Sequence, residues 1–269
     1  MEKNGKGIIT AGVLLTLAIA VIVTWTAAVK AIAGTNGGSG EVKEEVITAP
    51  VERIVVTEIS EDVALRASAD GKIKVVYRDT DNIIHRIDTS GSTLSVKAKQ
   101  KKGGWLKKLF GGLFSFSFNR EDKSQTIIYL PEGTYESLSI GTVSGDVDIP
   151  DIAEFGELEA ATVSGDINAD AANISGNAGF ETVSGDINLH GTRASSASAN
   201  TVSGQISLTD ADIAGEVTLE TVSGDVSGNV LGSHSYDAHS LSGDKSFPAG
   251  TDGAPEVSVS TTSGDVELF

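Results

Sequence analysis

Thr182-Val183-Ser184-Gly185-Asp186-Ile187-Asn188-Leu189 (TVSGDINL) is one copy of a phrase that recurs along the second half of the chain. Ser-Gly falls at 144/145, 164/165, 184/185, 203/204, 223/224, 242/243 and 263/264, at intervals of 20, 20, 19, 20, 19 and 21 residues. A period this regular is the mark of stacked supersecondary units, none of which can bury its apolar face alone. On either side of Ser-Gly, apolar and polar residues alternate with period two, the pattern of a strand rather than a helix. Gly and Asp between the two runs suit a bend, because Gly tolerates tight backbone geometry and Asp bonds nearby N–H groups.

Three columns are expected to point inward. The first is Val143, Val163, Val183, Val202, Val222, Leu241 and Thr262, before Ser-Gly. The second, after the Asp, is Val147, Ile167, Ile187, Ile206, Val226, Lys245 and Val266. The third, two residues on, is Ile149, Ala169, Leu189, Leu208, Gly228, Phe247 and Leu268. A second half-unit precedes each phrase, clearest at Leu138/Ile140, Val217/Leu219 and Val257/Val259. The fold class expected is all-β: a parallel β-solenoid, or β-helix-like stack, of SGD repeats over residues 131–269. Seven coils ~4.8 Å apart make a rod of roughly 34 Å. A sandwich of antiparallel hairpins is the competing arrangement.

Upstream, Ile59-Ser60-Glu61-Asp62-Val63 aligns with Val143-Ser144-Gly145-Asp146-Val147, with Glu61 where Gly is expected. Residues 51–130 therefore read as a degenerate continuation, with strands at Lys72–Tyr77, Ile83–Ile87, Thr93–Lys99 and Thr126–Leu130.

Residues 8–30 carry no charge before the closing Lys30 and are dominated by Ile, Leu, Val, Ala and Thr, and as a transmembrane helix they are long enough for a hydrocarbon core of ~30 Å. Lys3 and Lys6 precede the segment and the acidic bulk follows, so residues 1–7 are expected in the cytoplasm and the repeats outside the membrane. Cleavage near Ala31-Ile32-Ala33 is the alternative to a retained anchor. Residues 31–50, including Gly34–Gly40 (GTNGGSG), are expected as a flexible linker. The chain has no Cys, hence no disulfide framework and no lipid-attachment cysteine.

Charge is divided unevenly. Residues 131–269 carry 23 Asp and Glu against Arg193 and Lys245 alone, whereas residues 1–130 carry a small basic excess. Nucleic acid is excluded as a partner of the acidic half by repulsion. The Asp column could recruit calcium to relieve like-charge crowding, with Asp146, Asp166, Asp186 and Asp225 as candidates. Each coil offers few oxygen ligands, however, and turn capping is the plainer role.

Residues 97–118 form a basic-aromatic stretch. Lys101, Lys102, Trp105, Lys107, Lys108 and Phe110 are the candidate membrane-contact residues, since Lys beside aromatics suits a membrane surface. Alternation of Phe114, Phe116 and Phe118 with Ser also fits a strand. His85, His190, His234 and His239 form no recognisable metal or catalytic spacing, and no HExxH, phosphate loop or nucleophile elbow is present. No catalytic residue and no cofactor is expected.

Residues 126–149, TIIYLPEGTYESLSIGTVSGDVDI, with the SGD series that follows, resemble the DUF4097 family of envelope proteins regarded as adhesins. The resemblance extends over residues 51–269 and rests on the Leu130-Pro131 entry and the SGD phrases. It implies a non-catalytic, surface-exposed β-repeat module facing an unknown protein or surface partner. An accessory role in envelope-stress sensing is the alternative, since some members serve such systems. The chain departs from the pattern at Gln205 and in the sixth unit, at Lys245 and Phe247-Pro248. Because it stops just after its last strand, self-association through an uncapped C-terminal edge is a further expectation.

Overall fold

The structure is a computed structural model that describes residues 40–100 and 125–269. All its elements are strands. The first seven are β1 (Glu41–Ile47), β2 (Arg53–Thr57), β3 (Asp62–Ala67), β4 (Ile73–Asp79), β5 (Ile83–Ser90), β6 (Thr93–Gln100) and β7 (Gln125–Leu130). The regular repeats supply β8 (Thr134–Gly141), β9 (Val147–Pro150), β10 (Glu154–Ala161), β11 (Ile167–Asp170), β12 (Asn173–Ile174), β13 (Asn177–Glu181) and β14 (Ile187–His190). They continue as β15 (Arg193–Ala194), β16 (Ser196–Asn200), β17 (Ile206–Ile213), β18 (Val217–Glu220) and β19 (Val226–Val230). The chain closes with β20 (Ser235–Ser242), β21 (Lys245–Ser246), β22 (Glu256–Ser263) and β23 (Val266–Leu268).

Each repeat lays one strand before its SGD phrase on one face and one strand after it on a second face. Successive coils pair in parallel, one repeat apart: Leu158 with Ala178 on the first face, Ile167 with Ile187 on the second. This is a solenoid-like stack, and the hairpin-sandwich alternative does not hold. The described residues of the segment 51–130 join the same stack, and all four strands expected there are present as β4 to β7.

Coil order in space departs from chain order at both ends. On the first face β2 lies between β6 and β8, and on the second β3 lies between β7 and β9. At the other end β22 lies between β18 and β20, and β23 between β19 and β21. The first and last SGD-type coils are thus each inserted one place inward. The stack starts under an antiparallel cover, in which β5 pairs with β6, β4 with β7, and β1 with β4. Residues 41–47, expected within a flexible linker, form β1 of this cover, because the strand pairs along all of β4 and Ile47 packs against the core. The inserted last coil corrects the expectation of an uncapped edge at the chain end. The outermost strands at that end are β20 and β21, from the sixth unit.

The core runs down the axis as ladders. Val147, Ile167, Ile187, Ile206, Val226 and Val266 are buried, as are Ile149, Ala169, Leu189, Leu208 and Leu268. Lys245 and Phe247 of those columns are exposed, since no described strand lies beyond the outermost coil. The aromatic bulk is placed in the early repeats, where Phe155 and Phe180 are fully buried and Tyr135 stacks on Phe155 with ring centroids 5.8 Å apart. Each such buried side chain contributes about 1.5–3 kcal/mol.

The column expected inward before Ser-Gly is corrected. Val143, Val163, Val183, Val202 and Val222 are half-exposed, Leu241 and Thr262 exposed, and the preceding Thr142, Thr162, Thr182, Thr201, Thr221 and Thr261 are buried instead. The bend at Val-Ser-Gly shifts the alternation by one residue, which exchanges the inner and outer sides.

Candidate functional site

Three ladders define the SGD corner, and they explain its composition. Thr162 Oγ1 donates to the Gly145 carbonyl at 3.1 Å and accepts the Gly165 N–H at 3.2 Å. A Cβ on Gly165, Gly185, Gly204 or Gly224 would collide with the carbonyl of the glycine one coil below, so the coils close up only on glycine. Asp146 Oδ1 accepts the Asp166 N–H at 3.0 Å, and Asp166 Oδ1 the Asp186 N–H at 2.9 Å. Of the calcium candidates, Asp146, Asp166 and Asp186 are therefore consecutive in one ladder, with a backbone donor on Oδ1 of each. Asp225 lies beyond the break at Gln205 and accepts from Asp265 at 2.8 Å. Their common role is to carry the corner from coil to coil.

Where the ladders begin, their chemistry changes. Thr142 Oγ1 lies 3.4 Å from the Glu61 carbonyl, as Thr162 does from that of Gly145, so Glu61 occupies the glycine column. Glu58, whose N–H donates to the Gly141 carbonyl, then occupies the Thr column. Two ladder positions have become carboxylates, and both are buried.

They converge on a histidine delivered by β5 of the cover. His85 Nε2 is 3.1 Å from Glu58 Oε1 and 3.9 Å from Glu61 Oε2, with the imidazole and Glu58 side chains fully buried. Its Nδ1 is 3.1 Å from Asp79 Oδ1, which also accepts the His85 backbone N–H at 2.7 Å, while Asp79 Oδ2 pairs with Lys43 at 2.8 Å. Thr126 Oγ1, from β7, lies 2.8 Å from Glu58 Oε1 and 3.1 Å from Glu61 Oε2. The Tyr77 ring covers the imidazole at 5.0 Å between centroids. Burial alone would depress the imidazole, but hydrogen bonding and charge from Glu58, with Asp79 and Glu61 adding to them, push it up to about 9.

One ligand atom from each of Glu58, Glu61 and His85 lies within 4.8 Å of the others, the one group of this kind among the described residues. His85 was visible in the sequence as one of four isolated histidines, and Glu61 as an irregularity. The missed signal was the alignment extended one residue upstream, which sets Glu58 against Thr142. The other histidines lie apart from this cluster: His190 on Asp170 at 2.7 Å, His239 beside Asp237 at 3.4 Å, and His234 buried against the Ile213 carbonyl at 3.0 Å.

The expected membrane-contact residues Lys101, Lys102, Trp105, Lys107, Lys108 and Phe110 lie outside the described residues, as does the segment 8–30. No helix among the described residues is long and apolar enough to cross a membrane.

An all-β stack of SGD coils under an antiparallel cover defines a β-repeat protein of the Toastrack class. The chain belongs to the Toastrack DUF4097 family, whose model matches residues 51–269. Among solved structures it is similar to a candidate adhesin from Bacteroides fragilis, with 12% identity and a TM-score of 0.45 over 88% of this chain and 100% of that one. A candidate adhesin from Parabacteroides merdae shows 15% identity and a TM-score of 0.45 over 86% and 98%. A candidate lipid-binding protein from Parabacteroides distasonis shows 17% identity and a TM-score of 0.39 over 86% and 98%. No curated protein sequence matches the chain.

Proposed function

We propose that the chain is a non-catalytic interaction module of the cell envelope, anchored by residues 8–30 and presenting its outermost coil, β20–β21, to a surface or protein partner outside the membrane. The observation that carries this reading is the exposed end of the stack. Leu241 on β20 is 79% exposed, Phe247 just after β21 is exposed as well, and β20 has β22 as its neighbour with no described strand on its outer side. At the other end of the stack, β1, the edge strand of the second face, carries Glu41, Lys43, Glu44 and Glu45, charges that discourage strand addition. An edge strand flanked by exposed apolar side chains is a template for strand addition or apolar docking. The acidic flanks of the stack keep nucleic acid away and restrict contact to the less charged end.

Two measurements test the proposal. Protease added to intact cells should remove the repeats and leave an N-terminal tag protected; protection of the repeats would overturn the topology. Beads coated with the protein should adhere to envelope material from the source cells, and Leu241→Lys with Phe247→Lys should abolish adhesion. Undiminished adhesion by a folded double variant would exclude the terminal coil.

A further inference from the structure

We propose that Glu58, Glu61 and His85 form a buried site for one divalent first-row transition ion of the zinc type, with Asp79 as the positioning residue that holds the imidazole. Three observations lead there independently of the proposed interaction role.

The first is placement. The corner ladder asks for Thr and Gly at positions 58 and 61, as every regular coil shows, and a Thr at 58 would serve stacking without burying a charge. Two carboxylates stand there instead, on a coil inserted between β6–β7 and β8–β9, facing the strand that brings His85. Burying two carboxylates costs several kcal/mol each unless they are paired, and both share the one Nε2 of His85.

The second is ligand geometry. A tetrahedral zinc ion with bonds of ~2.0–2.1 Å holds its ligand atoms about 3.3 Å apart. The separations of Nε2 from Glu58 Oε1 and Glu61 Oε2, 3.1 and 3.9 Å, bracket that value. Imidazole with two carboxylates suits zinc and its neighbours, whereas calcium and magnesium prefer all-oxygen sets.

The third is the surroundings. Asp79 accepts from Nδ1 and so holds the ring with Nε2 facing the carboxylates, the carboxylate–histidine arrangement that metal ligands use, and an ion bound there would take the place of the Nε2 proton. Thr126 Oγ1 lies within hydrogen-bonding distance of both carboxylates yet has one proton to donate. The ion would pin the cover, through β5, to the β2–β3 coil, so metal binding and folding of that end would be coupled.

The test uses the full chain purified in detergent, stripped with a chelator and titrated with zinc, then cobalt. One equivalent of zinc should bind and raise Tm, and cobalt should give visible absorption of tetrahedral intensity. His85→Gln and Glu61→Gln should lose both signals while keeping the strand signature of the stripped wild type by circular dichroism. Asp79→Asn should weaken binding ~10–100-fold, and His190→Gln should leave it unchanged. Zinc retention equal in wild type and His85→Gln, or no Tm response with no cobalt band, would overturn the site and leave an ion-paired histidine in its place.

Discussion

The backbone N–H of Asp265 donates to the carboxylate of Asp225 at 2.8 Å across 40 residues of chain, twice the repeat length. The intervening SGD phrase, at Asp244, donates instead to Asp265, at 2.8 Å. The last coil is therefore threaded between two that precede it in the chain, and the loop 247–255, rich in Pro and Gly, makes the return.

That threading is open to direct test because the chain has no native cysteine. Thr218 and Ser258 are paired neighbours, whereas Asp237 lies one strand beyond Ser258. Neighbouring strands sit ~4.8 Å apart, within reach of a disulfide, and next-but-one strands at about twice that are beyond it. Thr218→Cys with Ser258→Cys should oxidise to an intramolecular disulfide, and Thr218→Cys with Asp237→Cys should not. Mass spectrometry after oxidation decides, and the opposite pattern would restore simple chain order.

Close packing at the corner makes the SGD glycines intolerant. The Cβ of Gly185→Ala would fall inside the contact distance of the Gly165 carbonyl, which belongs to a ladder and cannot swing aside. Overpacking of this kind costs ~1–3 kcal/mol. Gly133→Ala meets nothing within 4 Å and should stay within ~0.5 kcal/mol of wild type. Urea unfolding of the two variants checks the contrast.

The buried threonines should matter more than the valines beside them. Thr162→Val keeps the shape but strips the Gly145 carbonyl and Gly165 N–H of the hydroxyl that serves both. Leaving buried polar groups without partners costs ~1–3 kcal/mol. Val163→Thr, on the half-exposed side, should cost less than half as much in the same denaturation assay.

Much of the fold was legible in residues such as Ile167 and Leu189, because a fixed period with alternating side chains leaves few alternatives to a stack. The Thr column was not, since period two was carried straight through a bend that shifts it by one. Coil order was hidden for a different reason: the corner ladders are nearly identical from coil to coil, so the phrase specifies that coils stack but not which neighbour each takes. Only the irregular units carry that information, and Lys245 and Phe247-Pro248 marked the outermost coil without saying so. The Glu58–Glu61–His85 cluster was obscured by the same insertion, which joins Glu58 to Thr126 across 68 residues.

Glu220 supplies a test of electrostatics inside the stack. It is buried on β18, aligned with Asn200 and Ser260, and burial raises its pKa above the usual 4.5. With the folded value raised, the native state holds more protons than the unfolded chain between about 4.5 and the higher folded value. Stability contributed by this residue is therefore present at low pH, falls as pH rises through that window, and stays low above it. Glu220→Gln keeps the shape and removes the ionisation. The variant should match wild type near pH 4 and exceed it at pH 7, with the gap opening across the window. Thermal melts at closely spaced pH values would show this, and a variant no more stable than wild type at pH 7 would mean that the carboxylate is stabilised by its surroundings after all.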